Sequence, residues 1–326
     1  MNRREFLAGS AALALASAVP FSARAADPTL SGRLVFGVPG GAIGSKLAQG
    51  ALDLLRPMGL SYQLQITDTR DSRDATESVK AAPPDGRTLL QAQSGSMVLF
   101  PAMYEHLGYD PIGDFEPLGV LGEYAYALVV GPAVPASVTD LNSYLKWARD
   151  NPALQDVGYS LYGSQGHLGC LILARNKDIA LRPQGYRASR ALFDDLRHQQ
   201  LAAGIVVAGN FAVLGDKTLR PIAVTGRTRQ RWWPQVGTFA EAGIDDLDHY
   251  GWYGWFAQRG LAPAARTALL GSLKQLQGAA AFQKLQDGLL LMNQPQGPEQ
   301  ISQRMAEEIP YFQKLVKSYG ISQITS

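Results

Sequence analysis

The chain has 326 residues, of which 46% are apolar and 18% are charged, and its formal net charge at pH 7 is +2. This length allows two modest domains with well-buried cores, and the composition is ordinary for a globular protein. The nearly balanced charge argues against a broad basic surface for nucleic acid. Because Cys170 is the single cysteine, an intramolecular disulfide is excluded.

The first 25 residues have the pattern of an export signal. Arg3 and Arg4 precede an apolar, alanine-rich run, and the stretch ends in Ala23-Arg24-Ala25. A charged start, a short apolar run and an A-x-A site are typical of a signal peptide, and the paired arginines are typical of twin-arginine export. We expect cleavage near Ala25 and a periplasmic protein. The alternative, an uncleaved anchor, is disfavoured because the run is short for a bilayer span.

The first element after this leader is an apolar run that ends in a glycine-rich turn, followed by an amphipathic segment from Ser45 to Leu55. This order predicts a strand, a tight loop and a helix. Glycines let the backbone approach a ligand, and the first N–H groups of a helix have no partners inside it. With the helix dipole they form a seat for a carboxylate or phosphate. The glycine spacing matches neither nucleotide-binding motif, so a close-packed turn without a ligand is an equal alternative.

The same order recurs twice. Residues 88–92 precede the small polar loop Gln93-Ser94-Gly95-Ser96, and residues 156–160 precede Tyr162-Gly163-Ser164-Gln165-Gly166-His167 and an apolar helix. Such alternation predicts mostly parallel sheets flanked by helices, whose loops gather in one crevice. Further strands are predicted at residues 62–66, 115–122, 125–130, 202–208, 219–225 and 251–257, and further helices at 140–149, 189–196, 263–277, 280–290 and 298–318.

Motifs for catalysis or metal binding are absent from the sequence. It contains no G-x-S-x-G, H-E-x-x-H or C-x-x-C motif, and its four histidines lie far apart. We therefore expect no catalytic residue, no metal and no cofactor. His167 is expected to bond locally near a helix start, with direct ligand contact as the second interpretation. Cys170 is expected in the core.

Several ordered blocks of the chain match the motifs of one protein family. They are Val38-Pro39-Gly40-Gly41, Asp85-Gly86-Arg87-Thr88-Leu89-Leu90, residues 101–104, residues 107–115, residues 222–225, residues 236–243 and Gly251-Trp252-Tyr253-Gly254. With these blocks the chain resembles the Bug family, the substrate-binding receptors of tripartite tricarboxylate transporters. The resemblance implies an α/β, two-domain periplasmic-binding-protein fold of the clamshell type (type II). We place domain 1 at residues 26–130 and 247–326 and domain 2 at residues 131–246, and we expect a monomer.

The resemblance also implies that a small carboxylate is held between three loops. One carboxyl group would meet the first loop, the far end of the ligand would meet the loop before the helix at His167, and the loop at Ser94 would contribute a third side. The candidate ligand-binding residues are Gly40, Gly41, Ala42, Ile43, Gly44, Ser45, Ser94, Gly95, Ser96, Gly163, Ser164, Gln165, Gly166, His167 and Arg187. Arg187 is expected either to add positive charge to the cleft or to be a solvated loop arginine.

Departures from the family pattern bear on the ligand. Family members that take amino acids carry an aspartate in the first loop, where this chain has Gly44-Ser45, which favours a ligand without an amine. The glycine-rich block after the second strand is replaced by charged residues 68–73, and a later block, Ala202-Ala203-Gly204-Ile205, lacks the family's aspartate. These changes argue against an ordinary dicarboxylate ligand.

We therefore expect a non-enzymatic periplasmic solute-binding receptor for a small organic mono- or dicarboxylate. Its partners would be membrane transporter subunits or a sensor protein, with no nucleic acid. Two alternatives stay open: a secreted α/β enzyme that uses the turn at residues 40–45 as an anion cradle, and a receptor-derived sensory or interaction protein that no longer serves transport.

Overall fold

The computed structural model describes residues 30–38, 42–67 and 72–325. The leader with its expected cleavage site near Ala25, as well as Gly40 and Gly41, therefore lie outside the described residues. In chain order the strands are β1 (Leu30–Phe36), β2 (Leu60–Ile66), β3 (Thr88–Gln93), β4 (Phe115–Tyr124), β5 (Tyr126–Val130), β6 (Asp156–Ser160), β7 (Arg182–Tyr186), β8 (Ala203–Val207), β9 (Arg220–Val224) and β10 (Gly251–Gln258). The helices are α1 (Ile43–Leu55), α2 (Arg73–Lys80), α3 (Phe100–Met103), α4 (Leu141–Asp150), α5 (Gln165–Asn176), α6 (Ser189–Arg197), α7 (Ala208–Ala212), α8 (Pro263–Gln277), α9 (Ala280–Gly288) and α10 (Pro298–Ser318).

The described residues form two five-stranded sheets, with strand orders β2-β1-β3-β10-β4 and β7-β6-β8-β5-β9. In the first sheet β1 runs parallel to β2 and β3, whereas β10 is antiparallel to β3 and β4. In the second sheet β6 runs parallel to β7 and β8, whereas β5 is antiparallel to β8 and β9. The predicted fold class, two sheets flanked by helices, is confirmed. The sequence predicted mostly parallel sheets, whereas each sheet is mixed: β5 and β10, which each follow a crossing between the sheets, run antiparallel to both of their neighbours.

The chain leaves the first sheet at Ala125, between β4 and β5, and returns to it between β9 and β10. The strand pairing thus puts β5 in the second sheet, although the predicted domain boundary follows residue 130. The division into domains itself stays a prediction. We call the first sheet with α1–α3 and α8–α10 the first lobe, and the second sheet with α4–α7 the second lobe.

Strand β10, which lies between β3 and the edge strand β4, contributes large side chains to the core of the first lobe. Its side chains Trp252, Trp255 and Phe256 are fully buried. The Trp255 indole N–H donates to Gln91 Oε1 at 3.0 Å, and Gln91 Nε2 donates to the Gly44 carbonyl at 2.8 Å. This buried chain of hydrogen bonds fixes the first turn of α1 against the sheet, since a buried amide left without partners would cost about 1–3 kcal/mol.

In the second lobe, a side chain caps the start of α4, and α5 contributes a cysteine to the core. α4 begins at Leu141 with Asp140 as its N-cap, and the Asp140 carboxylate accepts from the Ser143 N–H at 2.8 Å. Cys170 on α5 is buried as predicted, and burial raises the pKa of its thiol above the ordinary value.

Among the described helices, none has the length and apolar character that a membrane crossing requires.

The two lobes touch directly along a seam. Ser94 Oγ in the first lobe donates to Gln165 Oε1 in the second at 3.3 Å. Arg231, in the segment that returns from β9 of the second lobe to β10 of the first, forms an ion pair with Asp287 of α9. At Gly209, on α7, an added Cβ would lie 2.2 Å from the Leu289 carbonyl oxygen of the first lobe. The seam is therefore close enough at this point to require glycine.

Gly209→Ala should hold the lobes apart. The new methyl group would collide with backbone, which cannot rotate away as a side chain can. We expect a larger radius of gyration by small-angle X-ray scattering and a loss of stability of about 1–3 kcal/mol. Gly271→Ala, on α8 where an added Cβ meets nothing within 4 Å, is the control and should raise stability by about 0.5–1 kcal/mol. An unchanged radius for Gly209→Ala would show that the seam is not held closed in solution.

Candidate ligand-binding cleft

A cavity of about 480 Å³ lies between the lobes. The first lobe contributes the end of β1, the start of α1 and the end of β3. The second lobe contributes the loop between β6 and α5, the start and one face of α6, and α7. This size is within the range of about 300–1,000 Å³ that is usual for small-molecule sites.

The start of α1 is capped from the opposite lobe. Its N-cap residue, Ala42, has no side-chain cap, and the Ile43 N–H donates to Asn210 Oδ1 at 2.9 Å. Ser45 Oγ donates back to the Ala42 carbonyl at 2.8 Å. An amide that the sequence predicts as an open anion seat is thus already bonded to a side chain of α7.

The start of α5 is capped within its own lobe. Ser164 Oγ accepts from the His167 N–H at 3.3 Å and donates to the Ser160 carbonyl at 3.1 Å. The Gly163 N–H donates to His167 Nδ1 at 3.3 Å, and Gly163 has φ +76°, a left-handed conformation that favours glycine. Of the candidate ligand-binding residues in this loop, Gly163 to His167, Ser164 alone lines the cavity.

His167 is buried behind that loop. Its ring stacks on Tyr159 and Tyr162, with centroid distances of 4.4 and 4.8 Å. Burial lowers the pKa of His167 to about 4, so the ring is neutral at pH 7. The local hydrogen bond that the sequence predicts for this residue is present.

The loop at Ser94 forms a π-helical turn, Gly95–Leu99. Ser94 is fully buried and accepts from the Trp252 N–H at 3.2 Å in addition to its bond across the seam. Ser96 Oγ donates to the Gln93 carbonyl at 2.8 Å. Gln93, rather than the two serines, lines the cavity. Gln93 was not among the candidate ligand-binding residues, although it is the first residue of the predicted polar loop.

Cations dominate the charged side chains of the cavity wall. They are Lys46, Arg187, Arg190 and Arg197, with Asp194 as the opposing acid. Arg197 forms ion pairs with Asp194 and Asp216 and, as the main cause, lowers the pKa of Asp216 to about 2. Lys46 and Arg190 form no ion pair within the described part of the chain. Among the described residues, the wall therefore has an excess of positive charge, which favours an anion.

The structure brings together only part of the predicted site. Ala42, Ser164 and Arg187 line the cavity, whereas the other described candidates do not line it: Ile43, Gly44, Ser45, Ser94, Gly95, Ser96, Gly163, Gln165, Gly166 and His167. Lys46, Arg190 and Asn210 line it without having been predicted. The signal for Lys46 was its place one turn after the glycine loop. The set of ligand contacts as a whole stays a prediction.

The described residues were also compared with the side-chain groups that bind metal ions. Over residues 30–38, 42–67 and 72–325, no group of three or more His, Cys, Asp or Glu side chains is placed to hold a metal ion.

A two-lobed α/β fold with a cationic cavity between the lobes defines the class of cleft-type solute-binding proteins. Residues 73–321 match the family TctC, the tripartite tricarboxylate transporter family receptors, and the chain belongs to this family. The resemblance to Bug proteins is thereby confirmed. The family is described as one of receptors.

Curated relatives from Bordetella pertussis match more than half of the chain. A protein of the UPF0065 group from this organism is 26% identical over 254 residues, which is 75% of each protein. Protein BugT of the same organism is 23% identical over 190 residues, 58% of each protein.

Solved structures of similar fold are matched over nearly the whole of their own chains. Rpa4515 of R. palustris, solved with adipate, has a TM-score of 0.84 at 24% identity, and the match covers 91% of this chain and 99% of that one. The periplasmic binding protein BugD has a TM-score of 0.82 at 20% identity, covering 90% and 99%. MatC of Rhodopseudomonas palustris, solved with malate, has a TM-score of 0.79 at 20% identity, covering 88% and 98%. At these identities the likeness establishes the shared fold.

His167 should make stability depend on pH. Its pKa falls from 6.5 in the unfolded chain to about 4 in the folded chain. Between pH 6.5 and pH 4 the imidazole is therefore protonated in the unfolded chain but stays neutral in the folded one. Stability is full above pH 6.5 and declines as the pH drops, by roughly 2 kcal/mol at pH 5. Urea denaturation at pH 7 and pH 5 measures this loss.

His167→Asn, which keeps an acceptor for the Gly163 N–H but does not titrate, should remove that part of the pH dependence. His198→Asn, at an exposed residue after α6, is the control and should keep it. Equal slopes for wild type and His167→Asn would contradict the burial of a neutral ring.

Proposed function

We propose that this protein is a periplasmic receptor that captures a small organic carboxylate between its lobes and presents it to a membrane transporter. The observation that carries the proposal is the excess of cations on the cavity wall, with Lys46 from the first lobe and Arg190 from the second. A ligand carboxylate between them would be attracted by both lobes and so favour the closed arrangement.

Family membership and fold support the same function. Rpa4515 and MatC, which share the fold, were solved with adipate and malate, both carboxylates. Neither the family nor the cavity wall supports the enzyme alternative: His167 and Cys170 are buried, and neither lines the cavity. The absence of an acid in the first loop continues to favour a ligand without an amine.

The sequence of the first 25 residues supports a periplasmic location. Its paired arginines and A-x-A site would direct export and cleavage near Ala25, and BugD, of the same fold, is a periplasmic binding protein. The partners would be transporter subunits or a sensor protein that recognises the closed lobes of a monomeric receptor.

Binding to a carboxylate panel tests the proposal. Isothermal titration calorimetry with acetate, succinate, malate, adipate and 3-phenylpropionate should show binding by at least one. Lys46→Gln and Arg190→Gln should each weaken the best binder about tenfold, the effect of losing one charged hydrogen bond. Lys146→Gln, at an exposed cation on α4, should leave the affinity unchanged. No heat and no melting shift with any organic acid would refute the proposal.

Asn210 allows a second test that uses charge alone. Asn210→Asp would place a carboxylate inside the cavity, beside the start of α1, where a helix favours negative charge. Carboxylate binding should weaken at least tenfold while the melting temperature does not fall. Asn142→Asp, near the exposed start of α4, adds the same charge outside the cavity and should not change binding. Unchanged affinity for Asn210→Asp would exclude an anion from this part of the cavity.

A further inference from the structure

The cavity extends well beyond the seam between the lobes. Arg190, Phe193 and Arg197 all line it, and their spacing along α6 puts them on one face of the helix. From the first to the last of these residues the helix rises about 10 Å. The space therefore follows nearly the full length of α6.

The second wall of this extension is α7 and the residues after it. Near the seam, Ser189 at the start of α6 contacts Asn210 on α7, with Asn210 Nδ2 donating to Ser189 Oγ at 3.4 Å. At the far end, Arg197 bonds to Asp216, a few residues after α7. The two helices thus lie side by side, and the cavity continues as a groove between them.

The two ends of the groove differ in chemistry. The end at the seam holds the cations Lys46 and Arg190 and the polar side chain of Asn210. The far end is lined by Phe193, Val213 and Leu214, and its cation, Arg197, is neutralised by Asp194 and Asp216.

Val213 adds a second, independent observation. It is 38% exposed, one of the large apolar side chains that remain uncovered in the described structure, and it faces the cavity. Apolar surface that a ligand covers and removes from water contributes favourably to binding. A small four-carbon diacid at the seam would leave this end of the groove unfilled.

We infer that the ligand is an amphipathic carboxylate, with its charged group at Lys46 and Arg190 and an alkyl or aryl arm lying in the groove on Phe193, Val213 and Leu214. The inference rests on the proposed carboxylate-binding function and adds the chemical class of the ligand. It agrees with a wall in which the net positive charge is confined to one end.

Matched ligand pairs test the arm separately from the charged group. Propionate and 3-phenylpropionate share one carboxylate, and succinate and 2-phenylsuccinate share two, so each pair differs by a phenyl group alone. Calorimetry at one pH and ionic strength should show the phenyl member binding at least tenfold more tightly in one or both pairs, because each buried CH2-sized group is worth about a fourfold gain.

Two variants show where the arm binds. Val213→Asn, at a partly exposed residue where folding tolerates a polar group, should weaken binding of the phenyl ligand at least fivefold and change the affinity for its short partner less than twofold. Ile112→Asn replaces another exposed apolar residue, 48% accessible and outside the cavity, and should change neither.

The outcomes separate the two proposals. If short and phenyl-bearing acids bind within twofold of each other, the arm inference is overturned while the carboxylate receptor stands. If phenyl ligands bind more tightly but Val213→Asn leaves them unaffected, the groove is not the subsite and the inference is likewise overturned. If no acid of either kind binds, the proposed function itself fails.

Discussion

One hydrogen bond across the seam, from the Ile43 N–H to the Asn210 side chain, determines how the cavity is built. α1 has no cap of its own, because Ala42 cannot provide one, and the second lobe supplies the missing acceptor. This contact joins the start of α1 to α7 and makes both helices walls of the same space. With that amide occupied, the cations that face the cavity without an ion pair in the described part of the chain are Lys46 of the first lobe and Arg190 of the second.

Much of the fold could be predicted because each strand, loop and helix carries its own local signal. Residues 156–160 were predicted as a strand and form β6 with those bounds. What local signals could not give was the partner of each strand. β5 follows β4 after a single residue, yet it pairs with β8 and β9 in the other sheet. Pairing depends on residues far away in sequence, and so does the antiparallel direction of β10.

The site was harder to predict for the same reason. Ala42 and Ser164 were found because they lie at glycine loops before helices, a local pattern. Asn210 was missed because its role comes from a partner 167 residues away, and nothing around it in the sequence indicates that contact. His167 shows the converse: a residue with a functional appearance in the sequence is held by the stacked rings of Tyr159 and Tyr162.

The position of β10 also bears on how the chain acquires its structure during synthesis. Tyr253 on β10, an interior strand of the first sheet, pairs with Gln93, which was translated 160 residues earlier. The second lobe, made entirely between these two points, has all its strands before β10 emerges. Since domains tend to fold as they leave the ribosome, the lobe encoded in the middle can mature before the one that begins the protein. Until β10 is synthesised, the first sheet lacks the strand that joins β3 to β4 and cannot be completed.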